Sequence, residues 1–170
     1  MKFVFAARAA ISFSVGIFIT FNQSHSAATG LLCLAIFGIG FAVLNGIGST
    51  LWGKGFFSLE NFPLTLAALI VGLAALLVPA SDPEASGLVF VYLVTGWGLI
   101  SGAFEMYLAR RSGFATRFGK DSLISASLSL LVGLLFLAVP LDIISAVGFF
   151  GAYLVLSAVH LGISATTPSK

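Results

Sequence analysis

Six long apolar runs follow one another along the chain, and they constrain the fold more than any other feature. A helix needs about 20 apolar residues to cross the hydrocarbon core of a bilayer. The runs are Phe3–Phe21, Thr29–Leu51, Pro63–Pro79, Ala85–Ala109, Ser122–Val139 and Asp142–Ala165. Only 8% of the residues are charged, against about a quarter in soluble domains, so the chain lacks the side chains for a water-facing surface.

Helices fit these runs and β-strands do not. Backbone that faces lipid must satisfy its own hydrogen bonds, and the alternating segments of about ten residues that mark a membrane β-barrel are missing from the sequence. We therefore predict a single all-α membrane domain over residues 1–170, with six transmembrane helices.

The positive charges indicate how the helices are oriented. With six crossings, all eight Lys and Arg residues fall on one side of the membrane: Lys2, Arg8, Lys54, Arg110, Arg111, Arg117, Lys120 and Lys170. Cytoplasmic loops carry an excess of Lys and Arg, so we predict that both termini are cytoplasmic. A basic loop over 110–120 is predicted to lie on anionic headgroups.

A short pattern of small residues recurs in three places. Gly16, Gly72 and Gly133 each stand between two apolar residues in the first, third and fifth runs, four residues after Ser12, Ala68 and Ser129. In the even-numbered runs Gly38 and Ala42 match Gly98 and Gly102, and the sixth run offers Tyr153 and Ser157. We predict three tandem helical hairpins over about 3–51, 63–109 and 122–165. Small residues spaced in this way favour close helix packing over a pore lining.

These motifs resemble a known family. The carriers are Val71-Gly72 to Pro79 with Gly98, Gly102 and Glu105, and Val132-Gly133 to Pro140 with Ser157 and His160. They are similar to the HdeD-like acid-resistance membrane proteins of bacteria, although Gln23 stands where the other hairpins have Pro. The resemblance implies a six-helix inner-membrane protein linked in some members to survival of acid stress, and it brings no catalytic residues.

Four polar residues are predicted to share one layer near the cytoplasmic face. Asn45, Glu105 and His160 each follow a small residue by three positions, and Arg8 enters the membrane from the same side. Ionisable groups inside a membrane are costly and call for a reason. One interpretation is a proton or ion site. The favoured one is structural: Arg8 reaches the headgroups, Glu105 pairs with Arg8, Arg110 or Arg111, and Asn45 and His160 join helices by hydrogen bonds.

A second polar set lies on the opposite side, in short turns. It consists of His25, Asp82, Glu84 and Asp142. These groups would gain protons in acid, which gives a weak hypothesis of pH sensing.

Catalytic signatures are missing from the sequence. The two histidines lie on opposite sides of the predicted membrane, and Cys33 is the only cysteine, so no metal-ligand spacing exists. Ser101 lacks the surroundings of an intramembrane nucleophile, and no basic tract suits nucleic acid. We expect a non-enzymatic protein without cofactors, acting in acid or envelope stress through helix packing with itself or a membrane partner. The alternative is a small oligomeric channel or transporter for protons or small neutral solutes.

Overall fold

The computed structural model describes residues 2–52, 54–79 and 82–167, and within these ranges the chain forms helices and no strands. The helices are α1 (Lys2–Phe21), α2 (Ala27–Trp52), α3 (Phe62–Leu77), α4 (Pro83–Ser112), α5 (Arg117–Ala138) and α6 (Ile143–Thr166). The predicted all-α architecture is confirmed.

Five of these helices are long and apolar enough to cross a membrane. The exception is α3, whose 16 residues extend about 24 Å at 1.5 Å per residue, short of a hydrocarbon core of about 30 Å. The class of the chain is that of a multi-pass helical membrane protein, while the crossing by α3 stays a prediction.

The connection between α4 and α5 is shorter than predicted. Helix α4 continues through Arg110 and Arg111 to Ser112, and α5 already begins at Arg117. Gly113 ends α4 with a φ of +85°, a conformation that glycine adopts without steric cost. Thr116 then caps α5 by accepting a hydrogen bond from the backbone N–H of Gly119 at 3.0 Å. The predicted basic loop over 110–120 is therefore largely helical, because these two turn signals confine the irregular backbone to 113–116.

One end of the bundle collects the positively charged residues, and we call it the basic end. The ring of Phe3 lies 5.2 Å from that of Trp52, which joins the start of α1 to the end of α2. The guanidinium of Arg117 donates to the carbonyl of Ser164 at 2.8 Å, which joins the start of α5 to the end of α6. Lys170, predicted on the same side, lies outside the described residues.

Glycines mediate the closest helix contacts, which join α2 to α3 and α4 to α5. A Cβ added at Gly38 would lie 2.7 Å from the Cα of Gly72, and one added at Gly98 would lie 2.7 Å from the Cα of Gly133. Real Cβ atoms essentially never approach this closely. These pairs and the pair formed by α1 and α6 are the most extensive interfaces of the described chain. Each joins the second helix of one predicted hairpin to the first helix of another.

Aromatic rings from α2, α4 and α6 fill the centre of the bundle. Phe37 contacts Trp97 with ring centroids 5.4 Å apart and Phe150 at 6.0 Å. Phe90 contacts Phe150 at 5.8 Å. This aromatic core extends from Trp97, at the middle of α4, to Phe90 in the half of the bundle away from the basic end.

Candidate functional site

The buried residues Arg8 and Asn45 and the half-buried Glu105 form a polar cluster inside the bundle. The Nε of Arg8 donates to Oδ1 of Asn45 at 2.6 Å, and its Nη1 lies 3.9 Å from Oε1 of Glu105. Arg8 is 5% exposed and Asn45 is fully buried. The three side chains come from α1, α2 and α4, so the structure brings together three of the four residues predicted to form a layer.

Two further residues complete this cluster. Nδ2 of Asn45 donates to Oγ1 of Thr65 at 2.6 Å and to the carbonyl of Asn61 at 3.3 Å. Oδ1 of Asn61 accepts from Nη2 of Arg8 at 3.4 Å. Sequence reasoning missed both residues, although an Asn followed within four positions by a Thr at the start of an apolar run offered a signal. With them, the polar cluster (Arg8, Asn45, Asn61, Thr65 and Glu105) joins the first four helices.

The buried polar atoms of this cluster have hydrogen-bond partners. Among the described residues, every buried side-chain nitrogen or oxygen has a hydrogen-bond partner. The ring of Phe41 also lies 5.2 Å from the guanidinium carbon of Arg8, a cation–π contact that stabilises a charge away from water. The arrangement can therefore hold a guanidinium inside the bundle.

His160 lies elsewhere. Its Nε2 is 3.0 Å from the carbonyl oxygen of Asp121, so it joins α6 to α5. The glycine contacts explain the separation. A Cβ added at Gly16 in α1 would contact the backbone nitrogen of Val155 in α6. At the equivalent position in α5, a Cβ added at Gly133 would contact the backbone nitrogen of Leu99 in α4.

The contact at Val155 shifts the alignment of α6 with α4 by one residue from the alignment that the sequence predicted. Glu105 follows Leu99 by six positions, and six positions after Val155 comes Leu161. One residue is about 100° of helix rotation, enough to turn His160 away from the polar cluster.

Two small cavities adjoin the polar cluster. One, of about 10 Å³, opens toward Glu60 and Asp121 at the basic end. The other, of about 30 Å³, lies deeper, and both are lined by Arg8, Glu105 and Ser125. A single water needs about 10–15 Å³, so beside Glu105 the smaller cavity has room for about one water molecule and the deeper one for about two or three.

The deeper cavity ends at a buried hydroxyl. The phenol of Tyr153 accepts a hydrogen bond from Nε1 of Trp97 at 3.0 Å and lies 3.1 Å from Oγ of Ser129. Further serines share the lining, namely Ser12, Ser101, Ser125 and Ser157. Most of these serines were interpreted only as small packing residues, because sequence spacing does not show which helix faces meet. Trp97 also belongs to the aromatic core, so the polar interior meets that core about halfway along the bundle.

The second predicted polar set sits at helix ends. Asp82 caps α4, with Oδ1 accepting from the backbone N–H of Glu84 at 3.0 Å. Asp142 caps α6 and accepts from the hydroxyl of Ser145 at 2.6 Å. The hydroxyl and backbone hydrogen bonds from Ser145 hold the pKa of Asp142 below its ordinary value. His25 lies 3.0 Å from a carbonyl of α1, so three of the four residues have a structural contact at a helix end.

The described residues contain no group of three or more His, Cys, Asp or Glu side chains placed to hold a metal ion. In comparisons with models of known protein families, with curated proteins and with solved structures, no match to the chain was found.

Proposed function

We propose that the chain is a non-enzymatic, HdeD-like protein of the bacterial inner membrane that acts in acid or envelope stress. The observation that carries the proposal is the polar cluster of Arg8, Asn45, Asn61, Thr65 and Glu105. It joins four helices through contacts between an arginine, a carboxyl group and amides. A protein that responds to acid needs a structural contact whose strength depends on protonation, and the contact between Arg8 and Glu105 has that property.

Acid would act through Glu105. The two cavities beside it have room for the water that would carry protons to its carboxyl group. Protonation removes the negative charge that faces Arg8 and leaves an uncompensated guanidinium inside the bundle, which is destabilising. Helix packing around the polar cluster then loosens, and this change is what a partner protein or a second copy of the chain would recognise.

A complementation experiment tests the acid role. A deletion strain of the native host carries wild type, Glu105→Gln, or Lys120→Gln as a charge-neutralising control at an exposed site. We expect deletion to lower survival of acid challenge, and wild type and Lys120→Gln to restore it. Glu105→Gln should fail although immunoblots show equal protein in the membrane.

Two results would contradict this proposal. Equal rescue by both variants would make the polar cluster purely structural. A deletion strain that survives acid as well as its parent would remove the stress role itself.

The second candidate is a small oligomeric channel or transporter for protons or small neutral solutes. The observation in its favour is the line of water-sized cavities that extends from the basic end to the hydroxyl of Tyr153. The aromatic core beyond Tyr153 opposes it, because a transport path would have to open there. Proton flux into proteoliposomes loaded with a pH-sensitive dye tests this second candidate. Proton flux that Glu105→Gln abolishes would favour the transporter, and no flux in wild type would exclude proton transport.

The proposed topology has both termini in the cytoplasm and three tandem hairpins. The basic end supports this orientation through the positive-inside rule. For α3 to cross, the bilayer would thin locally or flanking residues would extend to the interface, as short helices allow at modest cost. A reporter that is active only in the cytoplasm should be active when it is fused after residue 170. Activity of a reporter that works only in the periplasm would refute the orientation.

A further inference from the structure

An open groove of about 600 Å³ lies at the basic end, separate from the polar cluster. It runs between the start of α1, the end of α2, the start of α5 and the end of α6. Its aromatic and basic lining consists of Lys2, Phe3, Phe5, Trp52, Arg117 and Phe118. These residues occupy first and last helical turns, so the groove lies at the level of the membrane–water interface.

Aromatic rings form the walls of this groove. Phe3 and Trp52 are in contact with ring centroids 5.2 Å apart. Phe5 and Phe118 stack at 6.3 Å with an interplanar angle of 18°. Trp is enriched at the level of lipid headgroups, where one part of the ring is dry and the other is wet. The walls therefore suit a ligand with an apolar chain below a polar head.

The charge of the groove is positive. Among the described residues of the lining, Lys2 and Arg117 contribute two cations and Asp121 contributes one carboxylate. Arg117 is held in position, with Nη2 donating to the carbonyl of Ser164 at 2.8 Å and Nε 3.9 Å from Oδ2 of Asp121. Lys2 is exposed at the rim. A guanidinium held in position and an exposed ammonium in the same groove are a suitable pair for a phosphodiester, which accepts several hydrogen bonds.

We propose that this groove binds one anionic phospholipid, with its phosphate between Lys2 and Arg117 and an acyl chain against Phe3 and Trp52. The occupant is a lipid because the groove lies at the interface, is open along its side and combines an apolar wall with net positive charge. Basic pockets between transmembrane helices on the cytoplasmic side bind lipid headgroups elsewhere. The site is independent of the acid role proposed above.

Native mass spectrometry of the detergent-solubilised full chain tests the site. The probes are phosphatidylglycerol and phosphatidylcholine with identical acyl chains. We expect wild type to retain one phosphatidylglycerol and to lose phosphatidylcholine. Lys2→Gln should weaken retention about fivefold, the amount that one cation contributes near an anionic surface. Lys120→Gln removes an exposed cation at the same end but outside the groove lining, and it should leave retention unchanged.

A second measurement places the lipid beside the aromatic wall. The variant Trp97→Phe makes Trp52 the only tryptophan, and brominated acyl chains quench its fluorescence on contact. At equal mole fraction, brominated phosphatidylglycerol should quench Trp52 more than brominated phosphatidylcholine does. Equal quenching by the two lipids would overturn the proposal. So would equal retention of both lipids in the spectrometer, or equal loss in Lys2→Gln and Lys120→Gln, which would indicate diffuse charge attraction.

Discussion

Replacing Gly98 by alanine tests how closely α4 and α5 are packed. A Cβ at this position would lie 2.7 Å from both the Cα and the N of Gly133 and 2.7 Å from the carbonyl oxygen of Ser129. All three neighbours are backbone atoms, so no side-chain rotation relieves the clash. Ordinary contact begins at about 3.4 Å, and the two helices must therefore separate by about 0.7 Å along the most extensive interface of the described chain.

The expected cost follows from that separation. Overpacking a close contact typically costs about 1–3 kcal/mol, while alanine gains up to about 1 kcal/mol over glycine in helix propensity. We expect Gly98→Ala to destabilise the fold by about 1–2 kcal/mol. The matched control is Gly96→Ala in the same helix, where an added Cβ meets nothing within 4 Å. This control should be neutral or slightly stabilising.

Reversible unfolding in mixed micelles of dodecyl maltoside and dodecyl sulfate measures both variants by circular dichroism and tryptophan fluorescence. We expect Gly98→Ala to unfold at a lower dodecyl sulfate fraction than Gly96→Ala does. If Gly98→Ala and Gly96→Ala unfold at the same dodecyl sulfate fraction, the close approach of α4 to α5 does not stabilise this fold and the reasoning fails.

Two further predictions concern side chains that hold helices by hydrogen bonds, one inside the bundle and one at a helix end. Tyr153→Phe removes the acceptor for the Trp97 indole and should cost about 1 kcal/mol, in the range of interhelical hydrogen bonds in membranes. The exposed control Tyr92→Phe should cost nothing in the same unfolding assay. Asp142→Ala should destabilise at neutral pH, since the carboxylate caps α6 and its pKa is lowered by Ser145. A carboxyl group whose pKa is lowered by folding stabilises the fold at pH values above its unfolded pKa, which is about 3.9 for Asp. The difference in stability between wild type and Asp142→Ala should therefore vanish as the pH falls through the folded pKa of Asp142. A constant difference down to pH 2 would contradict the capping role.

The apolar runs predicted the helices well, because run length against bilayer thickness is a one-dimensional property of the chain. The largest error lies between α4 and α5, where charged residues were assigned to a loop. Arg110, Arg111 and Lys120 are polar yet compatible with helix, so polarity alone did not mark the boundary. Gly113 and Thr116 did, through backbone conformation and capping.

The sequence predicted how far along their helices the candidate site residues lie, but it did not predict which way each side chain faces. Arg8, Asn45 and Glu105 were grouped by their equal distance from the helix ends, and the structure brings them together. His160 has a similar depth and points to Asp121 instead. A shift of one residue changes depth by only about 1.5 Å but direction by about 100°. Sequence spacing is therefore a better guide to the level of a residue than to its partners.

The sequence by itself determined the class of protein, the helices and the side that collects positive charge. These follow from the cost of exposing backbone and charged groups to lipid, which acts on each segment separately. Only the tertiary structure decided that α2 packs most closely on α3, α4 on α5 and α1 on α6, and that Asn61 and Thr65 complete the polar cluster. Lipid tails are as apolar as leucine, so hydrophobicity does not select partners between helices. Partners are selected by backbone approach at glycines and by hydrogen bonds, and these depend on how each helix is rotated in three dimensions.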